Sequence, residues 1–269
     1  MAPTPTECTL PSYEFGRLSK RKVVADFSGG DITSDGGLLL IRDIDDWYQI
    51  SERLSACFTD QREARRVQHD LKTLIAQRLY GLVQGYEDLN DHDDLRHERL
   101  FGVVLGQLES QHPRCAPLAG KSTLNRLEQS MHVSSDLSDS RYVKMSLNPT
   151  AVESLFVELF IEQMGREPKR IILDMDVTDD PTHDFESNQL RLWFSSFADV
   201  LMQALRLKTL AHTELADAQF GTIRRKLLKL GAQIRISVRR ILVAFSSASP
   251  IQAIFQAAYQ QPQRRPKPG

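Results

Sequence analysis

The sequence predicts an α/β protein that is mainly helical. Apolar residues recur at helical spacing through most of the chain, whereas runs typical of strands occur at residues 22–27, 171–177 and 232–245. The 269 residues are 41% hydrophobic, which is enough to build the core of one large domain or of two smaller ones.

Cysteine usage and hydropathy favour a cytoplasmic protein without a membrane partner. Cys8, Cys57 and Cys115 are widely spaced and form no CxxC pair, so they indicate neither a disulfide framework nor a zinc site. No apolar run approaches the roughly eighteen residues of a membrane span. The N-terminus also lacks the basic start and apolar core of a secretion signal.

The charge is distributed unevenly along the chain. The formal net charge is -1, but residues 187–269 contain 13 Lys and Arg against 3 Asp and Glu, which leaves 21 basic and 32 acidic residues in the rest. Such an asymmetry indicates either a polyanionic partner, such as nucleic acid, or neutralisation between two packed parts of the chain.

The first part of the chain is predicted to contain an arm followed by helices. Residues 1–20 hold three prolines and few periodic apolar positions, so we expect a flexible arm. An amphipathic helix is predicted over residues 61–84, and its first turns carry Arg62, Arg65 and Arg66. Cations at a helix start oppose the helix dipole, so they form either a solvated face or a site that pairs with acids or contacts phosphate.

An acidic stretch at residues 88–97 contains the ligand types of a metal site. Asp93 and His97 lie four residues apart and would share one face of a helix. The stretch is equally typical of a capped helix start, where surface carboxylates interact favourably with the helix dipole. Both interpretations stay open from the residues alone.

The stretch LAGKSTLNRLE at residues 118–128 combines a turn with a short helix. Its tripeptide GKS resembles the end of a phosphate-binding loop, but that motif requires a glycine where Cys115 lies, so nucleotide binding is excluded. The stretch either connects core elements or forms the second half of a helix-turn-helix. In the second case Lys121 and Arg126 would contact DNA.

A strand that ends in carboxylates is predicted at residues 171–177, after a serine-rich linker at residues 131–147 and a helix at residues 148–164. Asp174 and Asp176 lie two residues apart and therefore on one face of this strand, and two more aspartates follow. Crowded carboxylates require solvent, hydrogen bonds or a cation, and oxygen ligands favour Mg²⁺ or Mn²⁺. An ordinary acidic exit from a strand is the alternative.

The C-terminal part is predicted to contain two helices, a strand and a tail. Asn188 or Ser187 can cap the first helix, and Thr213 can cap the second. Apolar alternation over residues 232–245 predicts one strand with a basic face. Residues 258–269 are rich in proline and basic residues, and we expect them to form a disordered tail.

Five separated motifs follow one another along the chain, namely GGDITSDGGLLLIRDID, QRLYGLVQGYEDLNDHDDLR, LAGKSTLNRLE, IILDMDVTDDPTH and NQLRLWFSSFADVL. Together they resemble the bacterial insertion-sequence transposases of the DDE superfamily, in the branch with an LDxDxTDDPxH motif. The resemblance implies a helical DNA-binding region, here residues 21–147, and an RNase H-like catalytic domain, here residues 148–257. It also implies two divalent ions, Mg²⁺ or Mn²⁺, which three carboxylates hold against the reacting phosphodiester.

The resemblance assigns the first catalytic aspartate to Asp176, in an Asp-x-Thr motif, with Asp174 as a neighbouring metal ligand. The chain then departs from the family pattern, because only four residues separate His183 from Asn188. At this point the family has further strands, a second aspartate and a glutamate. We therefore predict an internal deletion that leaves the RNase H-like core incomplete. Because one carboxylate pair does not readily fix two metal ions, we expect no cleavage.

The predicted function is that of an insertion-sequence transposase that is catalytically defective, with Mg-dependent cleavage and strand transfer implied by the resemblance. The alternatives are a non-catalytic DNA-binding remnant, which competes for element ends or regulates an intact transposase, and a product that folds poorly. The expected partners are the DNA of terminal inverted repeats and a second copy or an intact transposase. The predicted DNA-contacting cations are Lys121, Arg126, Arg224, Arg225, Arg239 and Arg240.

Overall fold

The computed structural model describes residues 13–18, 21–25, 29–107, 117–130, 144–165 and 185–263. Its strands are β1 (Tyr13–Leu18), β2 (Arg21–Ala25), β3 (Asp31–Thr33), β4 (Phe58–Asp60), β5 (Met145–Leu147), β6 (Ala232–Ser237) and β7 (Arg240–Phe245). Its α-helices are α1 (Leu38–Tyr48), α2 (Ile50–Ala56), α3 (Leu71–Gln84), α4 (His92–Leu95), α5 (Arg99–Val104), α6 (Lys121–Glu128), α7 (Pro149–Met164), α8 (Phe185–Thr209), α9 (Phe220–Ile223) and α10 (Gln252–Gln263). The fold is mixed α/β and mainly helical, as predicted. None of the described helices combines the length and apolarity that a membrane span requires.

The described strands form three small antiparallel sheets. β1 pairs with β2, β4 pairs with β5, and β3, β6 and β7 lie side by side in that order. Thr33 lies opposite Ala232, which in turn lies opposite Phe245, so the third sheet joins the N-terminal and C-terminal parts of the chain. The RNase H-like core stays a prediction, since the predicted strand at residues 171–177 lies outside the described residues.

Helix α3 lies at the centre of the fold. Each of its residues except Lys72 is buried, including several with polar side chains. At its start the Thr73 N–H donates to Asp70 Oδ1 at 2.7 Å, and Gly85, with a φ of +88°, ends it. Helices α2, α6 and α8 pack around it. A helix enclosed in this way must find partners for its polar groups within the protein.

The predicted boundary between residues 21–147 and residues 148–257 does not divide two cores. Helix α8 packs against α1 and α3, and α7 packs against α2. Phe156 of α7 stacks on Phe197 of α8 with ring centroids 4.0 Å apart. Buried residues from both predicted regions therefore belong to one hydrophobic core.

The helix predicted over residues 61–84 begins only at Leu71, because Asp70 caps it there. Arg62 precedes the helix and forms an ion pair with Asp60 at 2.7 Å. The cations of this segment therefore lie on a connecting segment and do not oppose the dipole of α3.

The strand predicted over residues 232–245 is a hairpin. A two-residue turn, Val238–Arg239, separates β6 from β7, and Ser237 pairs with Arg240 across it. The apolar alternation of β6 runs up to Val238, a continuous apolar run follows at residues 241–245, and the turn contains none of the Gly or Asn residues that usually mark one. The sequence pattern therefore concealed the reversal.

The arm and the tail, which were predicted to be flexible and disordered, both contain regular structure. The arm predicted over residues 1–20 includes β1, since the sequence YEFGRL pairs with β2. Helix α10 runs to Gln263 and so enters the tail predicted over residues 258–269. Residues 1–12 and residues 264–269 lie outside the described part of the chain.

A pair of glycines brings the start of α1 against the C-terminal part of the chain. The N–H groups of Gly36 and Gly37 donate to the carbonyl oxygens of Leu230 at 2.8 Å and Leu228 at 3.0 Å. A Cβ atom at Gly37 would meet the carbonyl oxygen of Leu227 closer than real Cβ atoms approach any atom. The glycines of the SDGG motif are therefore required by the close approach of two backbones.

We expect Gly37→Ala to destabilise the protein by roughly 1–3 kcal/mol, because the added methyl group must displace the Leu227 carbonyl. Urea unfolding measures this difference. Gly221→Ala is the matched control, since a Cβ atom there would meet no atom within 4 Å and alanine favours a helix. Equal stabilities of the two variants would contradict the close approach.

Candidate nucleic-acid interface

A buried carboxylate anchors the C-terminal end of α6 in the core. Glu128, whose side chain is 1% exposed, accepts hydrogen bonds from Arg78 on α3 and from Arg191 on α8, each at 2.8 Å. The other donors of Arg78 reach the carbonyl oxygens of Tyr86 and Glu87. Because a buried charge is tolerated only with well-placed partners, this network fixes the position of α6 against α3 and α8.

The amide of Gln77 holds the segment that leads into α6. The Ala119 N–H donates to Gln77 Oε1 at 3.0 Å, and Gln77 Nε2 donates to the Ala119 carbonyl oxygen at 2.7 Å. Both polar atoms of a buried backbone group are thereby paired by one side chain of α3. Together with the Glu128 network, this contact fixes both ends of α6.

His92 supports the same contact. Gln77 Nε2 lies 3.2 Å from His92 Nδ1, and since an amide nitrogen only donates, Nδ1 is the acceptor. Burial lowers the pKa of His92 to about 3, so the ring is neutral at pH 7. A Cβ atom at Gly81 would lie 2.9 Å from His92 Cε1, so glycine makes room for the ring.

Lys121 is engaged within the protein at the first turn of α6. Its N–H donates to Asp93 Oδ1 at 3.1 Å, and its Nζ donates to Asn90 Oδ1 at 3.0 Å. The Asp93 carboxylate therefore serves the start of α6, where the helix dipole favours negative charge. DNA contact by Lys121 stays a prediction.

Arg126 lies on the exposed side of α6 and lines a cleft of about 250 Å³. Three more cations line this cleft, namely Arg62 and Arg66 from the segment before α3, and Lys144 from the residue before β5. Pairing of β4 with β5 brings these segments together, since the Gln61 N–H donates to the Lys144 carbonyl oxygen at 2.7 Å. We call the four residues Arg62, Arg66, Arg126 and Lys144 the basic cleft.

The basic cleft carries an excess of positive charge. Its two arginines before α3 pair with Asp60 and Glu63, whereas no described carboxylate pairs with Arg126 or Lys144. His69 also lines the cleft, and its Nδ1 is buried without a hydrogen-bond partner among the described residues. Burial lowers the pKa of His69, which leaves the ring neutral at pH 7. The cleft thus offers an anion an excess of positive charge.

The C-terminal segment from residue 218 to residue 263 contains seven Lys and Arg residues and no Asp or Glu. Two of these cations are used within the protein. Arg224 donates to two carbonyl oxygens in the last turn of α3, at 2.7 and 3.4 Å, where a helix dipole favours positive charge. Lys229 forms an ion pair with the buried Asp35 at 2.7 Å.

The ion pair of Lys229 and Asp35 lies beside a tyrosine ring. The Tyr86 hydroxyl donates to Asp35 Oδ2 at 2.9 Å, and Lys229 Nζ lies 3.9 Å from the centre of the ring. Burial lowers the pKa of Lys229, but its hydrogen bonds to Asp35 and Tyr86 outweigh this effect and leave the pKa raised. Asp35 of the SDGG motif therefore ties α1 to the C-terminal segment.

The other five cations of the C-terminal segment are exposed, and no described carboxylate pairs with them. They are Arg225, Lys226, Arg235, Arg239 and Arg240. Three of the predicted DNA-contacting residues, Arg225, Arg239 and Arg240, are thus open to a ligand, whereas Arg224 caps α3. Their contact with DNA stays a prediction.

The predicted catalytic residue Asp176 and the predicted metal ligand Asp174 lie outside the described residues. Within the described part of the chain, no group of three His, Cys, Asp or Glu residues is placed to hold a metal ion. The fit of the Mg²⁺ or Mn²⁺ implied by the family therefore rests on residues without described geometry, and no step of function is assigned to the ion.

Lys144 is a functional candidate that the sequence does not indicate. Lys144 follows the serine-rich stretch predicted as a linker, and it reaches the cleft only because β5 pairs with the distant strand β4. Arg62 and Arg66 did carry an indication, since phosphate contact was one of the two interpretations of cations at a predicted helix start. They join Arg126 through tertiary contacts that no local pattern encodes.

His92 should make the folded protein sensitive to acid. Its pKa of about 3 lies below the ordinary value of 6.5, so the unfolded chain binds a proton more readily, and stability falls as the pH drops from 6.5 towards 3. For one group the loss is at most ~1.4 kcal/mol per pH unit. His92→Gln should lessen this dependence in urea unfolding at pH 7 and pH 5, and His212→Gln, at an exposed position, should not. Identical pH dependence in all three proteins would contradict the assignment.

Glu128→Gln should cost roughly 3–5 kcal/mol of stability, because two guanidinium groups lose their buried anion. The matched control is Glu158→Gln, which removes a carboxylate that is 61% exposed from its pair with Arg53. That change should cost about 1 kcal/mol or less. Chemical denaturation compares the two, and a loss no larger than that of the control would show that the network does not hold the core.

Comparison with known protein families gives a match over most of the chain. The family model described as transposase DDE domain group 1 matches residues 15–185 and residues 181–267. The two matched segments overlap at residues 181–185 and together cover most of the chain. Comparisons with curated proteins and with solved structures gave no match.

Proposed function

Since this chain belongs to the DDE transposase family, group 1, we propose that it is an insertion-sequence transposase that binds the ends of its element but does not cut them. The observation that carries the proposal is the basic cleft, where cations from three segments of the chain converge. The proposal has two parts, DNA binding and loss of cleavage, and they rest on separate observations.

The basic cleft suits the phosphate backbone of duplex DNA. Arg126 and Lys144 have no described carboxylate partner, so phosphate oxygens would not have to displace an internal anion. The guanidinium of Arg126 offers two parallel donors to one phosphate, whereas Lys144 acts as a point charge.

The loss of cleavage rests on the missing part of the catalytic domain. The match to the family model breaks into two segments at residues 181–185, as an internal deletion there would produce. The resemblance places further strands and two more carboxylates where this chain has only residues 184–187. Family members generally use divalent metal, which supplies charge stabilisation at the phosphodiester. Of the carboxylates required, only Asp176, with Asp174 beside it, is carried over to this chain.

A chain that binds element ends without cutting them occupies the sites that an intact transposase needs. The proposed function is therefore that of a non-catalytic remnant, which competes with an intact transposase or regulates it. Affinity in this account comes from phosphate contacts, whose formation releases counterions and makes binding sensitive to salt.

Arg126→Gln/Lys144→Gln should weaken binding to a fluorescent duplex taken from the DNA that flanks the gene. Loss of two phosphate contacts should reduce the slope of log affinity against log salt by about 2. Arg42→Gln/Lys72→Gln removes the same charge from exposed ion pairs on α1 and α3 and should leave the slope nearly unchanged. Equal slopes for the two double variants would remove the basic cleft from the interface.

Purified protein with Mg²⁺ should leave a plasmid that carries the flanking DNA uncut. Asp176→Asn serves as the reference, and wild type should give no more nicking than this variant. Agarose electrophoresis of supercoiled plasmid detects single nicks. Mg²⁺-dependent nicking that Asp176→Asn abolishes would show that catalysis survives.

A further inference from the structure

The hairpin of β6 and β7 extends beyond the sheet to which it belongs. β3 pairs with β6 only from Ala232 to Ile234, so residues 235–242 form a ribbon of two strands against which no third described strand pairs. All eight of these residues are exposed. We call residues 235–242 the ribbon.

The ribbon has a basic face and an apolar face. Arg235 and Arg240 lie on one face together with Leu242, because each is paired to a residue of that face across the strands. Ile236 and Ile241 lie opposite each other on the second face, with exposed fractions of 43% and 40%. With Arg239 in the turn, the ribbon carries three arginines and no carboxylate.

The residue types at the tip of the ribbon differ from those that hairpin turns prefer. Two-residue hairpin turns favour Gly, Asn or Asp, because the preferred turn types need positive φ. Val238 and Arg239 occupy the turn without positive φ, and Val238 is fully exposed. An isolated two-stranded ribbon is also only marginally stable in water. Turn stability therefore does not explain the valine and the arginine at this tip, whereas contact with a partner does.

We propose that the ribbon is an arm that enters the major groove of the bound DNA. The inference rests on the proposed function and adds to it the element that reaches into the duplex. Arg235, Arg239 and Arg240 contact phosphates and base edges, and Val238 at the tip packs against the apolar parts of the bases. The absence of any carboxylate in the ribbon removes repulsion from the phosphates on both sides of the groove.

The dimensions of the ribbon agree with those of the groove. From Arg235 to Val238 the strand advances about 10 Å beyond the three-stranded part of the sheet, at roughly 3.3 Å per residue. The major groove is about 8.5 Å deep and about 12 Å wide, and it admits a two-stranded ribbon. The minor groove, about 6 Å wide, is too narrow for two strands and their side chains.

Charge complementarity favours DNA over other occupants of the ribbon. A second copy that docked its ribbon on this one would have to place three arginines beside those of its partner, and the apolar side chains on offer are only Ile236, Val238, Ile241 and Leu242. A membrane surface would attract the same arginines, but the chain belongs to a family whose members act on DNA. Binding to vesicles of anionic lipid and self-association are therefore outcomes that the experiment has to exclude.

The test compares the full chain with Arg239→Gln/Arg240→Gln on the fluorescent duplex from the flanking DNA. The ribbon variant should bind about tenfold more weakly or worse, with a reduced salt slope, whereas Arg42→Gln/Lys72→Gln should bind like wild type. Val238→Ser should lower affinity without changing the salt slope, because it removes an apolar contact. Methyl green, which occupies the major groove, should compete with wild type, and netropsin, which occupies the minor groove, should not.

The outcomes separate the ribbon from the proposed function. If wild type shows no salt-dependent binding to any duplex, the proposed function fails. If wild type binds and the ribbon variant binds equally well, the ribbon inference alone is overturned. Competition by netropsin but not methyl green overturns it, as does tighter binding of the chain to anionic vesicles than to duplex. A dimer in sedimentation that Ile236→Thr/Ile241→Thr abolishes, with DNA affinity unchanged, also overturns it.

Discussion

The rest of the structure depends on the buried ion pairs of Glu128 with Arg78 and Arg191. This carboxylate is 1% exposed, and it joins α3, α6 and α8, which are distant in sequence. The Arg78 guanidinium, which is 5% exposed, would be a costly buried charge if its anion were lost, so the three helices are held in one arrangement. The polar side chains of α3 continue this role along the helix. Gln77 holds Ala119, and the Tyr80 hydroxyl donates to Asp45 at 2.8 Å.

Both positively charged surfaces are positioned by α3. In the middle of the helix, Gln77 and Arg78 fix α6 and thereby place Arg126 in the basic cleft. At the C-terminal end of the helix, Arg224 caps the last turn, and the nearby ion pair of Lys229 with Asp35 fixes the segment that leads into β6 and the ribbon. The proposed DNA-binding function therefore depends on contacts deep in the core. The loss of catalytic carboxylates that we propose would leave these described contacts unaltered, since none of them involves residues 171–177.

Sequence patterns predicted the structure of single elements, but they did not predict the pairing of segments that are far apart in the chain. The helix predicted at residues 148–164 agrees with α7, because its signals are local. An asparagine cap and a first-turn proline mark its start, and a glycine marks its end. The basic cleft was not predicted as a unit, since β4 and β5 are far apart in sequence. The ribbon was predicted as part of a single strand because its turn lacks glycine. The SDGG motif indicated the family, whereas its physical role lies in the contact with Leu227–Leu230.

Separate polar contacts of α3 hold the two basic surfaces. Hydrogen exchange, followed segment by segment in Gln77→Leu and Arg224→Met, distinguishes these contacts, because exchange reports local opening. We expect faster exchange in residues 117–130 of Gln77→Leu with residues 232–245 unchanged, and the reverse in Arg224→Met. Equal changes in both segments of either variant, or no change in either, would show that the two surfaces are not held separately.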